Sequence, residues 1–156
     1  MIAPRIPAAP ELRCSVLGGI LRSALAFPHL PSAPATASAS WSVRVVGGEP
    51  PKRPVSRLGS REMGPERYDL WQDEDGWRLI YSHAGTFDLS RDGTEITWYR
   101  AADANEELAQ AIILGPVLSL ALESAGHLCL HGSAVAVDTQ AIGFLGGKYH
   151  GKSTLA

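Results

Sequence analysis

The chain has 156 residues, of which 45% are hydrophobic and 19% charged, and its formal net charge at pH 7 is -2. This apolar content is enough for one domain with a hydrophobic core, or for one small domain with a tail. The near-neutral balance and the lack of any block of like charges argue against nucleic acid as a partner.

The first forty residues are rich in alanine, proline and serine. This composition predicts a disordered or loosely structured tail over residues 1–40, within which residues 12–27 are predicted to form one short amphipathic helix. Arg22 interrupts the apolar stretch there, so a secretory signal peptide is not expected.

The cysteines and the apolar runs indicate in which cellular compartment the protein is found. Cys14 and Cys129 lie far apart and neither belongs to a CxxC pair, so no zinc site or redox motif is indicated. The apolar run at 111–122 contains Pro116 and is too short to span a bilayer. We therefore expect a cytoplasmic protein with reduced cysteines and no membrane partner.

Residues 41–103 are predicted to form a β-rich region. An alternating strand at 41–46 precedes a predicted loop over 49–64, and residues 68–99 are typical of a β-meander with Asp-Gly turns. Aromatic residues recur there with a period of two, which favours packing on one face of a small sheet over a ligand platform. They are Tyr68, Trp71, Trp77, Tyr81, Phe87, Trp98 and Tyr99.

A helix is predicted from residue 104 to about 125, with Asp103 or Asn105 as its cap. Gly115-Pro116 should bend or break it, because proline removes a helical hydrogen bond. Strands at 128–130, 133–137 and 141–145 then lead directly into a glycine-rich loop.

That loop, residues 146–153, reads GGKYHGKS and matches the phosphate-binding pattern GxxxxGK[ST]. Glycines let main-chain N–H groups wrap a polyanion, Lys152 reaches the β- and γ-phosphates, and the Ser153 hydroxyl binds Mg²⁺. ATP and Mg²⁺ are thus the predicted cofactors, with Ser153 as the metal ligand. The predicted binding residues are Gly146, Gly147, Lys148, Tyr149, His150, Gly151, Lys152, Ser153 and Thr154.

The segments LHGSAVAV (130–137), AIGFLG (141–146) and GKSTLA (151–156) resemble the HPr kinase/phosphorylase family, and more closely the HPr-kinase-like proteins of bacterial gene clusters. The resemblance covers 128–156 well and the preceding helix and hairpins more loosely. It implies an α/β fold with an α+β N-terminal part. A β-meander and a helix would lead into a domain related to phosphoenolpyruvate carboxykinase, with residues 104–156 as its beginning.

The resemblance further implies an ATP-dependent serine kinase with a protein substrate, in which an oligomer is possible. His131 matches a family histidine, for which structural and functional roles are equally open. The loop lacks the acidic residue that HPr kinases carry after the first glycine, which argues against HPr as the acceptor. Because the family's metal-binding and acid/base residues lie downstream of the loop, we expect little turnover from this chain alone, and its catalytic residues are unassigned.

A second hypothesis is a protein-interaction module of a biosynthetic cluster. In it the β-meander and the helix recognise a protein, and the phosphate loop is vestigial. A transport or GTPase domain is disfavoured, since such domains place the loop directly after their first strand.

Overall fold

The structure is a computed structural model that describes residues 11–52, 56–63, 66–147 and 154. The strands are β1 (Leu12–Val16), β2 (Gly19–Ser23), β3 (Trp41–Gly47), β4 (Ser56–Met63), β5 (Glu66–Gln72), β6 (Gly76–Tyr81), β7 (Gly85–Ser90), β8 (Glu95–Arg100), β9 (Gly132–Val137) and β10 (Gln140–Leu145). The helical elements are α1 (Glu106–Ile112), a π-helical turn (Ile113–Val117) and α2 (Leu118–Ser124).

Eight strands form one mixed sheet in the order β1-β2-β3-β8-β7-β6-β5-β4, and β9 and β10 form a separate hairpin. Strand β3 is parallel to both β2 and β8, whereas the neighbours from β8 to β4 are all antiparallel. The predicted meander is therefore confirmed, and its sheet is extended beyond β8 by three N-terminal strands.

The turns of the meander follow from its Asp-Gly pairs. At the β7–β8 turn, the Asp92 carboxylate accepts hydrogen bonds from the Ser90 hydroxyl and the Thr94 amide, and Gly93 has a φ of 74°. These hydrogen bonds lower the pKa of Asp92, that from Ser90 most. At the β5–β6 turn, a Cβ on Gly76 would lie 2.1 Å from the Leu89 carbonyl oxygen, so only glycine fits there.

The aromatic residues divide between the two sheet faces. The register places Tyr68, Tyr81 and Phe87 on the apolar face together with Trp77 and Trp98. Trp71 lies opposite Arg78 and Tyr99 opposite Thr86, on the other face. The prediction of a single aromatic face is thus wrong for these two residues.

The predicted α/β class is wrong, because the described part of the chain is mostly β and its helical elements form one continuous segment on one side of the sheet. Residues 12–27 contain two strands instead of the predicted helix. Leu17 and Gly18 both take positive φ values of 50° and 78° and close a tight hairpin. Cys14, Leu21 and Ser23 then alternate into the core, so a period of two prevails over the helical pattern.

The predicted N-terminal tail is also ordered where the structure describes it. The Ser15 amide donates to the Pro31 carbonyl at 2.8 Å, and the Ala33 amide donates to the Arg13 carbonyl at 3.0 Å. The segment after β2 places Leu25 and Phe27 in the core. Residues 1–10 of the predicted tail lie outside the described residues. The loop predicted over 49–64 is replaced at 56–63 by strand β4, which pairs with β5.

The helix begins as predicted at Asn105, whose side-chain oxygen accepts from the Leu108 amide at 3.0 Å. Near Gly115-Pro116 the α-helical pattern is interrupted by the π-helical turn, which contains Pro116 and continues directly into α2. A π turn already shifts the hydrogen-bonding register, so a residue without an N–H is tolerated there. The wider turn lets pairs of successive residues face the sheet. The buried residues of the helical segment are Ala109, Ile112, Ile113, Val117, Leu118 and Ala121.

The segment Glu106–Ser124 is also long and apolar enough to cross a membrane by length and composition. The apolar run at 111–122 that the sequence predicts is therefore shorter than the apolar helical segment of the structure. Helices in the cores of soluble proteins share these properties, and 33% of its most apolar stretch is buried. Its inward side chains contact the apolar sheet face.

Candidate functional site

The phosphate-loop motif begins at the end of the β9–β10 hairpin. The two strands pair from Gly132 opposite Leu145 to Val137 opposite Gln140, and Asp138 turns the chain with a φ of 54°. Strands at 133–137 and 141–145 are thus confirmed, whereas residues 128–130 form no strand. Strand β10 ends immediately before the first glycine of the motif, which is the connection that a phosphate loop requires.

The structure locates only part of the predicted site. Gly146 and Gly147 follow β10 and are exposed, and Thr154 is helical and exposed. The other predicted binding residues lie outside the described residues, namely Lys148, Tyr149, His150, Gly151, Lys152 and Ser153. The Mg²⁺ role of Ser153 and the phosphate role of Lys152 therefore stay predictions from the motif.

The histidine that precedes the hairpin is exposed. His131 lies just before β9, and among the described residues no group of three or more His, Cys, Asp or Glu side chains is arranged to hold a metal ion. Cys129, two residues earlier, donates through Sγ to the Ser119 carbonyl at 3.5 Å and attaches this connection to the helix.

The hairpin that carries the loop is exposed on both faces. On one face Val135 lies opposite Ile142 and Ser133 opposite Phe144, and these residues are at most half-buried. Large apolar side chains along this region are open to solvent, namely Leu128, Leu130, Val137, Ile142 and Leu145. An isolated two-stranded hairpin is marginally stable in water, so this surface is suited to being covered.

A second polar cluster lies on the face of the large sheet away from the helix. The Arg78 guanidinium forms two hydrogen bonds to the Asp88 carboxylate, at 2.6 and 2.7 Å, and a third to the Pro51 carbonyl at 3.0 Å. Only 5% of Arg78 is exposed. Hydrogen bonding to Asp88 is the main cause that raises the pKa of Arg78 above its ordinary value, so the guanidinium stays charged.

The same face continues across β8 to β3. Thr97 lies between Asp88 on β7 and Arg44 on β3, and the Arg44 guanidinium donates to the Thr97 hydroxyl at 3.1 Å. The Asp88 carboxylate is already bound through both oxygens by Arg78. Within the described part of the chain, Arg44 forms no ion pair with Asp88 or with any other acidic side chain.

A cavity of about 820 Å³ opens beside Arg44, between β2, β3 and β8. Three arginines and three glutamates line it, namely Arg22, Arg44, Arg100, Glu11, Glu95 and Glu106. None of them belongs to a sequence motif. The alternation of polar and apolar residues along 42–46 and 95–99 places Arg44 and Glu95 on one polar face, but the sequence does not indicate that these two strands are neighbours.

No protein-family model, curated protein or solved structure matches the chain.

Proposed function

We propose that residues 146–153 bind the phosphates of ATP together with Mg²⁺, and that the chain is the ATP-binding part of a cytoplasmic serine kinase resembling the HPr-kinase-like proteins. The observation that carries the proposal is the complete GxxxxGK[ST] motif directly after strand β10. The helical conformation of Thr154 agrees with a helix that begins after the motif.

The chemistry of such a loop is positioning and charge compensation. Main-chain N–H groups after Gly146 would surround the phosphate oxygens, while the Lys152 ammonium would offset negative charge on the β- and γ-phosphates. The Ser153 hydroxyl would hold Mg²⁺, which bridges phosphate oxygens. Positioning and charge compensation account for most of the catalysis of phosphoryl transfer. The phosphate acceptor that the resemblance implies is a serine of a protein substrate.

Replacing Lys152 with alanine is expected to weaken Mg-ATP binding by about 10- to 100-fold, which corresponds to a lost charge-assisted hydrogen bond of roughly 1.5–3 kcal/mol. Isothermal titration calorimetry measures the affinity, and circular dichroism reports the fold. Lys52→Ala is the matched control, since Lys52 is an exposed lysine in a loop of the large sheet. Tyr149→Ala should have a far smaller effect, because only its main chain would line the phosphates.

Equal affinity of Lys152→Ala and the unchanged chain for Mg-ATP would falsify the phosphate-loop assignment. The remaining candidate would then be the interaction module. The exposed apolar hairpin favours that candidate, whereas the meander and the helix cover each other's apolar faces. Ile142→Lys should in that case abolish partner binding and leave the large sheet folded.

A further inference from the structure

We propose that the cavity between β2, β3 and β8 binds a small zwitterion of the amino-acid class, with its carboxylate at Arg44 and its ammonium at Glu95. This site lies on the large sheet and does not depend on ATP binding at residues 146–153. It is supported by the pairing of the charges that line the cavity, by the register of the strands and by the size of the cavity.

Two of the three arginine–glutamate combinations in the cavity are already ion pairs. Arg100 lies 3.0 Å from Glu106, and Arg22 lies 3.6 Å from Glu11. Their charges therefore compensate one another within the protein. The remaining two charged groups of the lining, Arg44 and Glu95, form no ion pair with any described residue.

The strand register explains why Arg44 and Glu95 share a face without meeting. Ser42 lies opposite Glu95, and Arg44 lies opposite Thr97, so Arg44 and Glu95 are diagonal neighbours on adjacent parallel strands. Diagonal residues in a sheet are about 7–8 Å apart between Cα atoms. Because the Arg44 guanidinium donates to the hydroxyl of Thr97, its directly opposite neighbour, it points straight across to β8 and not diagonally to Glu95.

The Glu95 carboxylate is likewise available. The main-chain amide of Glu95 donates to the Ser90 hydroxyl at 2.9 Å, which fixes the backbone at the start of β8, while the side chain is exposed. A ligand with one negative and one positive end would satisfy both groups at once. An anion alone would leave Glu95 unpaired and would meet its repulsion.

The volume of about 820 Å³ is within the usual range for small-molecule sites. The Ser42 and Thr97 side chains lie on the same face between the two charges and can hydrogen-bond a ligand that spans them. An amino acid with a short hydrocarbon spacer between its charged ends fits this arrangement.

The test is an NMR titration of the ¹⁵N-labelled chain with glycine, β-alanine and 4-aminobutyrate, and with acetate and methylammonium as single-charge controls. At least one amino acid is expected to saturate in the millimolar range, with shifts concentrated at residues 42–46 and 95–98. Arg44→Gln and Glu95→Gln should each weaken that binding at least about tenfold, as expected for a charged hydrogen bond.

Arg61→Gln and Glu62→Gln are the matched controls. Both residues are exposed on β4, at the opposite edge of the sheet, and their replacement should leave binding unchanged. Dispersed spectra of the variants show that the sheet is intact. The proposal is overturned if no amino acid saturates, if acetate binds as tightly as the best amino acid, or if Glu95→Gln binds normally. Lys152→Ala should bind the amino acid normally, which separates this site from the phosphate loop.

Discussion

Asp88→Ala is expected to destabilise the protein by about 3–5 kcal/mol, because it leaves the buried Arg78 guanidinium without its partner charge. The side chains of Arg78 and Asp88 are only 6% and 13% exposed. Three hydrogen bonds fix the guanidinium, and the Pro51 carbonyl is the one that would remain. A single carbonyl cannot compensate a buried positive charge.

Urea unfolding followed by circular dichroism measures this effect. Asp69→Ala is the matched control, since Asp69 forms an exposed ion pair with Arg57 on the same sheet face and should contribute less than about 1 kcal/mol. The double variant Arg78→Met/Asp88→Leu removes both charges and should be closer in stability to the unchanged chain than Asp88→Ala. If Asp88→Ala is no more harmful than Asp69→Ala, the segment at Pro51 does not exclude water from Arg78.

Trp98→Ala is expected to reduce the free energy of unfolding by about 3–5 kcal/mol through loss of packing. Trp98 has no exposed surface, and its ring lies parallel to Phe87 with 6.1 Å between the ring centroids. Its Nε1 also donates to the Ala84 carbonyl at 2.7 Å. The truncation therefore leaves a large cavity and an unpaired buried carbonyl.

Trp98→Phe separates the two contributions, because it retains an aromatic ring and removes the hydrogen bond; a loss smaller than that of Trp98→Ala is expected. Trp41→Ala serves as the comparison, since Trp41 is only half-buried at the edge of the core. Equal losses for Trp41→Ala and Trp98→Ala, measured by urea unfolding, would contradict the assignment of Trp98 to the centre of the core.

The parts of the fold that the sequence predicts are those formed by neighbouring residues. Asp75-Gly76 and Asp92-Gly93 mark turns between alternating strands, and those strands pair as expected. The β1–β2 hairpin was missed because its turn places Leu17, a residue that rarely takes a positive φ, where glycine or asparagine is usual. The surrounding prolines and alanines also favoured a tail.

Contacts between distant residues account for the remaining errors. Strand β3 pairs in parallel with β8, and no local pattern near Val43 identifies Ile96 as its neighbour. The same pairing creates the Arg44 and Glu95 arrangement, so the sequence could not reveal it. A phosphate loop is different, because its binding groups are consecutive and can be recognised within eight residues of sequence.

The separate hairpin has a consequence for how the chain unfolds. The hydrophobic core joins the eight-stranded sheet to the helix, and among the residues that the structure describes its buried members all precede β9. Elements that share few buried contacts lose their structure in separate steps, the less buried one first. A melting curve that follows tryptophan fluorescence reports the large sheet, because Trp41, Trp71, Trp77 and Trp98 all belong to it.

Melting of β9 and β10 would pass unseen in such a curve. One transition temperature then describes only the large sheet, since the two-state assumption does not extend to the segment that bears the loop.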